Sequence, residues 1–190
     1  MKEFNDIEGK DVLSSDGKLM GKVEDFTYGT DFKIRSVVVK MNKDIVEELG
    51  EDKPLFTSVK LKINLDQVKA FGDKVILDKT LDQLHIHFHE VVEDDLISSI
   101  VGTEISGNEG EDVGKVDDIL LDTESWDVPS MLVKLNKDVL ETLDIEKSLL
   151  SKTRLGISMK HVTSVGDIVM LDSSAQEMGK IIQDEPIKKM

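Results

Sequence analysis

The sequence has no cysteine, one tryptophan, one tyrosine and only three prolines among its 190 residues. Without cysteine there can be no disulfide, no thiolate nucleophile, and no zinc finger or iron–sulfur cluster, which fits a reducing compartment. Aromatic residues make up 4% of the chain, so the hydrophobic core must consist mainly of valine, isoleucine and leucine. Few large rings are left to line a ligand pocket.

Positive charge is also scarce, because 24 Lys and Arg stand against 39 Asp and Glu, for a net charge of -15. Nucleic-acid backbones are bound by clustered Lys and Arg, so direct contact with nucleic acid or an anionic membrane is not expected. The first residues lack the apolar run of a signal peptide, and no run approaches the ~18 apolar residues of a membrane-spanning helix. These absences predict a cytoplasmic protein that is not inserted into a membrane.

The chain matches itself at an offset of 93 residues, which slips by one residue midway. Gly9 matches Gly102, and residues 21–25 match 114–118; later, residues 71–78 match 165–172. Splitting the chain after residue 95 leaves about -7 and about -8, so the acidity is duplicated as well. We therefore expect two similar domains at residues 1–80 and 97–172, a linker at 81–96 and a tail at 173–190.

Each copy carries the pattern of short strands joined by tight turns. Residues 21–28 alternate, residues 34–41 are rich in β-branched side chains, and Gly17 and its counterpart Gly110 suit a turn at positive φ. Asn42 precedes apolar residues at helical spacing and is a candidate N-cap, as is Asn136 in the second copy. The fold class expected is mainly β: two tandem antiparallel β-barrels, each with a short helix, closed so that no edge strand remains, and joined by a linker that fits a helix or a strand.

The order of these motifs resembles the PRC-barrel family. The residues that carry the resemblance are Gly9-Lys10-Asp11-Val12, Asp16-Gly17, residues 21–25 and residues 68–77, with a second set through Gly102, residues 114–118 and residues 157–167. This module occurs in the H subunit of the photosynthetic reaction centre and in a bacterial ribosomal RNA maturation factor. The present chain lacks the transmembrane helix of the former and the N-terminal RNA-contacting domain of the latter.

The version with a helix is most similar to archaeal members, some of which act in cell division by binding SepF, the membrane anchor of FtsZ. The resemblance implies a non-enzymatic adaptor without cofactor, which binds protein partners, forms a homo-oligomer such as a dimer, and reaches the division site through a partner. An alternative that the family also implies is an assembly factor for ribosome or RNA maturation that binds a ribosomal protein.

His85, His87 and His89 form a candidate metal site, because in an extended strand all three imidazoles lie on one face. In a helix capped by Thr80 and Gln83 only His85 and His89 share a face. The second copy lacks the first two of these histidines, which favours a solvated face of the linker.

Six apolar residues are the candidates for partner binding: Phe26, Tyr28, Phe32, Trp126, Leu149 and Leu150. Trp126 falls in a turn with little local core, and exposed rings on a charged surface tend to mark interfaces. The other interpretation is that Trp126 folds back over the end of its own barrel.

No catalytic motif is present. The acidic pairs Glu24-Asp25 and Asp117-Asp118 are expected on solvated strand surface, because adjacent side chains of a strand point to opposite faces. The sequence has no phosphate-binding loop and no nucleophile elbow, and it shows neither a nucleophile nor an orienting carboxylate beside His161. An enzyme is not expected.

Overall fold

A computed structural model describes residues 1–49, 59–84, 96–143 and 154–178. The linker histidines His85, His87 and His89, together with Leu149 and Leu150, lie outside these ranges. Within them the strands, in chain order, are β1 (Lys2–Glu3), β2 (Asp11–Leu13), β3 (Leu19–Tyr28), β4 (Ile34–Met41), β5 (Lys60–Asn64), β6 (Val68–Phe71), β7 (Val75–Leu77), β8 (Glu104–Ser106), β9 (Asp112–Asp122), β10 (Asp127–Leu135), β11 (Arg154–Ser158), β12 (Val162–Ser164) and β13 (Ile168–Leu171). The helices are α1 (Lys43–Glu48) and α2 (Lys137–Thr142), with a helical turn at residues 175–178 and short 3-10 helices at Phe4–Asp6, Leu65–Gln67, Leu81–Gln83, Ile97–Ser99 and Met159–His161.

The described residues form two compact units with the same strand order. One unit runs from Asn5 to Ile97 and contains a sheet in the order β5-β4-β3-β2-β7-β6. The other contains the equivalent sheet, β11-β10-β9-β8-β13-β12. The predicted duplication of a mainly β fold with one short helix per copy is confirmed.

The expectation of closed antiparallel barrels is wrong in two respects for the described residues. Each sheet is mixed, because β2 pairs with β7, and β8 with β13, in parallel. The two end strands of each sheet, β5 with β6 and β11 with β12, follow each other along the chain and do not pair with each other. A 3-10 helix lies between the end strands and turns the chain at the corner where a closing ladder of hydrogen bonds would be needed.

The turn signals of the sequence are confirmed. Gly17 and Gly110 have φ of 84° and 82°, and each donates its N–H to the carbonyl three residues earlier, at Ser14 and Gly107.

Asn42 stands at the N-cap position of α1, but its side chain does not cap the helix. Its Nδ2 donates to the carbonyl of Leu19 at 3.2 Å instead, and thereby ties the helix start to β3.

A β-bulge interrupts the long hairpin of each sheet at the acidic pair. In β3 the register shifts between Val23 and Asp25, and in β9 the equivalent shift falls between Val116 and Asp118. Asp25 and Asp118 are 3% and 0% exposed, and the Oδ1 of each accepts the N–H of the next residue at 2.7 Å. The expectation that both acidic pairs lie on solvated surface is therefore wrong for their second members, because each pairs with a residue of the neighbouring strand, Val38 or Leu132, that is itself shielded from solvent.

The N-terminal segment belongs to the unit formed by the second repeat. Residues Met1–Phe4 cluster with the chain from Ser98 onward, and β1 pairs with β9 through Lys2 with Leu121 and Glu3 with Leu120. The segment before the second repeat does the same in the other unit, where Leu96 forms a bridge with Thr27. Thr27 in β3 and Leu120 in β9 are equivalent positions. The segment before the first repeat therefore pairs with β9 of the second repeat, and the segment before the second repeat pairs with β3 of the first.

Both cores are aliphatic, as the scarcity of rings requires. Burial of an Ile, Leu, Met or Phe side chain contributes about 1.5–3 kcal/mol each, so these residues dominate the stability of the units. The largest fully buried side chains in the sheets include Met20, Phe26, Leu61, Ile63, Leu77, Ile105, Ile119, Leu121 and Met131. In the part of the chain that the structure describes, no helix combines the length and apolar character needed to cross a membrane.

Candidate functional site

The first candidate site is the tip of the hairpin between β3 and β4, built by residues Gly29 to Lys33. Gly29 donates its N–H to the carbonyl of Lys33 at 2.9 Å, and Phe32 donates to the carbonyl of Gly29 at 2.9 Å. These bonds close a tight turn in which Phe32 adopts φ of 54°, in the left-handed region. The turn thus holds the Phe32 ring at the end of the sheet, where it is half-buried.

The Phe32 ring stacks on Tyr28, the last residue of β3. Their ring centroids are 6.3 Å apart and their planes differ by 11°. Beside them Arg35 Nη2 donates to both carboxylate oxygens of Asp31 at 2.8 Å, and the Lys33 N–H donates to Oδ1 at 3.3 Å. Desolvation raises the pKa of Asp31, but the Lys33 hydrogen bond and the charge of Arg35 outweigh it and hold the pKa below its usual value. The tip therefore presents two parallel rings beside an ion pair.

The second candidate site is the equivalent tip between β9 and β10. Trp126 donates its N–H to the carbonyl of Asp122 at 2.8 Å and adopts φ of 60°. The side chain of Asp122 also accepts the N–H groups of Glu124 at 2.9 Å and Ser125 at 3.3 Å. These two backbone hydrogen bonds are the main cause of a lowered pKa of Asp122. A charged carboxylate thus organises the turn that carries the tryptophan.

The two tips share an unusual feature. A bulky side chain in the left-handed region is strained by about 1–2 kcal/mol, and glycine is the usual residue at such a turn position. Among the described residues, Phe32 and Trp126 are the non-glycine residues with positive φ. They stand at matching positions of the two repeats, so the same strained placement of an aromatic ring occurs twice. Retained strain of this kind tends to mark functional sites.

Of the sequence-predicted partner-binding residues, the structure brings Tyr28 and Phe32 together at the first tip and places Trp126 at the second. Phe26 is 0% exposed and lies 6.1 Å from Phe71 between ring centroids, so it belongs to the core and offers no surface to a partner. If side chains alternated strictly from Val23 onward, Phe26 would lie on the outer face of the sheet. The bulge between Val23 and Asp25 inserts one extra residue, which shifts the alternation by one and turns Phe26 toward the core. Leu149 and Leu150 stay untested because they lie outside the described residues.

His161 has a carboxylate neighbour that sequence reasoning missed. Its Nδ1 lies 3.2 Å from Oδ1 of Asp172, which directly follows β13, the partner of the strand after His161. Ser173 donates to the same Asp172 oxygen at 2.6 Å, and this bond, followed by His161, lowers the pKa of Asp172. The serine hydroxyl bonds to the aspartate and not to the imidazole, so the three residues lack the order of a nucleophile and its general base. Within the described ranges no group of His, Asp and Glu is arranged to hold a metal ion.

The repeated position of the tip rings could have been found from the sequence, because Phe32 and Trp126 coincide when the copies are aligned. Their positive φ had no local signal, since neither is glycine, asparagine or aspartate. The stack of Tyr28 on Phe32 likewise depends on the length of the turn, which differs between the copies by one residue.

Comparison with known proteins gives a family match over both units. The model of the PRC-barrel domain matches residues 1–84 and again residues 93–178. Among curated proteins, none matches the chain significantly. A solved structure that matches is that of RimM from Pseudomonas aeruginosa, named as a 16S ribosomal RNA processing protein, with 14% sequence identity and a TM-score of 0.28. The match covers 80% of this chain and 97% of that one.

Proposed function

The chain belongs to the PRC-barrel family, with two tandem domains, and we propose that it is a non-enzymatic adaptor that binds partner proteins through its two hairpin tips. The observation that carries this proposal is the repeated aromatic residue at positive φ, Phe32 in one tip and Trp126 in the other. Aromatic rings supply much of the binding energy at protein interfaces, because each buries a large area while losing little conformational freedom. A ring held in place by a strained turn loses still less on binding.

Duplication gives the adaptor a specific advantage with a multimeric partner. Once one tip has bound, the second is held at a raised effective concentration, and overall affinity can exceed that of either tip by orders of magnitude. The two tips are not identical, because Tyr28 and Phe32 form a pair of rings whereas Trp126 stands in a turn with Asp122 and Glu124. The adaptor thus offers related but distinguishable contacts on one chain.

The partners we propose are components of a cell-division ring, in the first place SepF, the membrane anchor of FtsZ. Support comes from the similarity to tandem archaeal members of the family and from the acidic chain, which disfavours direct contact with anionic lipid or nucleic acid. The proposed location is cytoplasmic, with recruitment to the division site through the partner.

The experiment is a direct titration of the full chain with purified SepF from the same organism, measured by calorimetry, alongside co-sedimentation with small ribosomal subunits. Binding of SepF that weakens in Trp126→Gly and is abolished in the double variant Phe32→Gly/Trp126→Gly is the expected result. The variants Thr30→Ala and Ser125→Ala, on the same tips but without loss of a ring, serve as controls and should bind normally. Stoichiometric co-sedimentation with ribosomal subunits and no binding of SepF would replace this proposal with the ribosome-assembly alternative.

A further inference from the structure

A row of apolar side chains crosses four adjacent strands on the outer face of the Asn5–Ile97 unit. Leu13 in β2 pairs with Leu19 in β3 on one side and with Ile76 in β7 on the other, and Ile76 in turn pairs with Ala70 in β6. Leu19 and Ile76 are 42% and 36% exposed, Ala70 is exposed and Leu13 is half-buried. We call these four residues the apolar row.

Their chain neighbours show that the apolar row faces outward. Val12, Met20, Val75 and Leu77 are all buried in the core, and successive residues of a strand point to opposite faces. Directly paired side chains on one face lie about 4.5–5.5 Å apart between Cβ atoms, so the four residues form one continuous patch. Contiguous exposed apolar side chains tend to mark an interface, whereas single ones are normal on a protein surface.

The second unit shows that the fold does not need this row. Its equivalent pairs are Ser106 with Asp112, Met170 with Ser106, and Ser164 with Met170. Asp112 thus stands where Leu19 stands in the first unit, and Ser106 where Leu13 stands. The same strand geometry therefore accepts polar residues at three of the four positions, with Met170 in place of Ile76, and the continuous apolar row is a property of one unit alone.

The charges beside the apolar row are paired. The carboxylate of Asp11 pairs with two lysines: its Oδ1 lies 2.9 Å from Lys22 Nζ, and its Oδ2 lies 3.3 Å from Lys74 Nζ. Hydrogen bonds from these lysines lower the pKa of Asp11, so its charge is present and neutralised at pH 7. On the other side of Leu19, Lys18 pairs with Glu48 of α1. These five charged residues form the rim of the apolar row, and the rim carries little net charge although the chain as a whole has a charge of -15.

We propose that the apolar row is a self-association face and that its occupant is a second copy of this chain. Two chains with a charge of -15 repel each other over most of their surfaces, and the repulsion is weakest where carboxylates are paired with lysines. A two-fold contact places the same patch on both partners, so apolar meets apolar within a rim of paired charges. Leu19 and Tyr28 lie at opposite ends of β3, so the contact does not use the hairpin tip of its own unit.

The size of the row sets the strength of this contact. Four side chains bury less than the 1,200 Å² or so of a standard stable interface, so the dimer should be weak, with a dissociation constant of roughly micromolar or above. Added salt should strengthen it, because salt screens the residual repulsion between acidic chains while apolar contact is unaffected. A contact held together by ion pairs would weaken under the same change.

The test is sedimentation velocity of the full chain over a wide range of concentrations, at low and high salt. Wild type should shift from monomer to dimer, more readily at high salt. The variant Leu13→Ser/Leu19→Asp, which installs the residues that the second unit carries, should stay monomeric at every concentration while its far-UV circular dichroism matches wild type. Leu19→Asp alone should raise the dissociation constant at least tenfold, and serves if the double variant loses structure.

The matched control is Ile168→Lys, which replaces the 44% exposed isoleucine of the second unit with the residue found at the equivalent position, Lys74. It should dimerise as wild type does. Wild type that stays monomeric at all concentrations and salts would overturn the proposal. Dimerisation that survives in Leu13→Ser/Leu19→Asp but is lost in Ile168→Lys would also overturn it and move the interface to the other unit.

Discussion

Phe32 and Trp126 occupy equivalent turn positions in the two sheets, and both adopt positive φ, at 54° and 60°. Each hydrogen-bonds through its own N–H to a carbonyl at the start of its turn, so the ring position is fixed by backbone geometry. A side chain at such a position is strained where glycine is not. We attribute the retention of this strain to a binding role of the two rings.

This attribution predicts the stability of Phe32→Gly and Trp126→Gly. Glycine relieves about 1–2 kcal/mol of backbone strain, offset by the loss of whatever contacts the half-buried ring makes within its own unit. We expect the free energy of unfolding in urea to change by less than about 1 kcal/mol in either direction. A fall of about 3 kcal/mol or more, as for a core aromatic, would show that the ring serves as a lid over its own sheet.

The turn around Trp126 should depend on pH through Asp122. The N–H groups of Glu124 and Ser125 lower the pKa of Asp122 in the folded state. The charged carboxylate therefore stabilises the fold at any pH above the unfolded pKa of about 3.9, and this stabilisation is lost as the pH falls through the folded pKa. Because Trp126 is the only tryptophan, its fluorescence reports this loosening directly. Emission should change below about pH 4, before the circular dichroism of the sheets. Asp122→Ala should remove the step, and Glu124→Ala should retain it.

Removal of the chain's first residues should destabilise the second unit. Phe4 is 3% exposed, and Glu3 bonds through Oε2 to Arg154 Nη1 at 2.8 Å. Deleting residues 2–4 exposes the apolar surface that Phe4 covers, at a cost of about 1.5–3 kcal/mol, whereas Glu3→Gln should cost less than about 1 kcal/mol. Hydrogen exchange should show weaker protection in β9 and β10 and unchanged protection in β3 and β4. The opposite distribution would contradict the assignment of this segment.

Two glycines allow close approach of neighbouring strands and should not tolerate a side chain. A Cβ on Gly21 would lie 2.1 Å from the Lys40 carbonyl oxygen, and one on Gly114 would lie 2.3 Å from that of Lys134. Alanine at either position should lower the free energy of unfolding by about 1–3 kcal/mol or more, since backbone must move. Gly72→Ala is the control, because no atom lies within 4 Å of its added Cβ. Equal effects at all three positions would refute the explanation.

Features set by neighbouring residues could be predicted from the sequence, and those set by distant contacts could not. The turns at Gly17 and Gly110 follow from local backbone preferences, and the repeat reveals the common architecture. The parallel pairing of β2 with β7 joins segments more than 60 residues apart in the sequence. The alternation of side chains within each strand does not indicate which other strand it pairs with. The open ends of the sheets could not be predicted for the same reason.

The candidate site was only partly predictable. The repeat alignment brings Phe32 and Trp126 to one position, but burial depends on the bulge, which the alternation of side chains alone does not indicate. Alternation therefore predicts a surface position for Phe26, which belongs to the core. Asp25 is buried as well, although both acidic pairs are expected on solvated surface. The apolar row has no signal in the sequence either, because its members meet only when the strands are assembled.

The most direct test of the adaptor function is a quantitative affinity purification from the native cell extract, with the full chain, the double variant Phe32→Gly/Trp126→Gly and the control Thr30→Ala/Ser125→Ala as baits. We predict that a defined set of proteins, with SepF among them, is retained by wild type and by the control and is lost with the double variant. Retention of the same proteins in the same amounts by the double variant would contradict the claim that the two tips bind the partner.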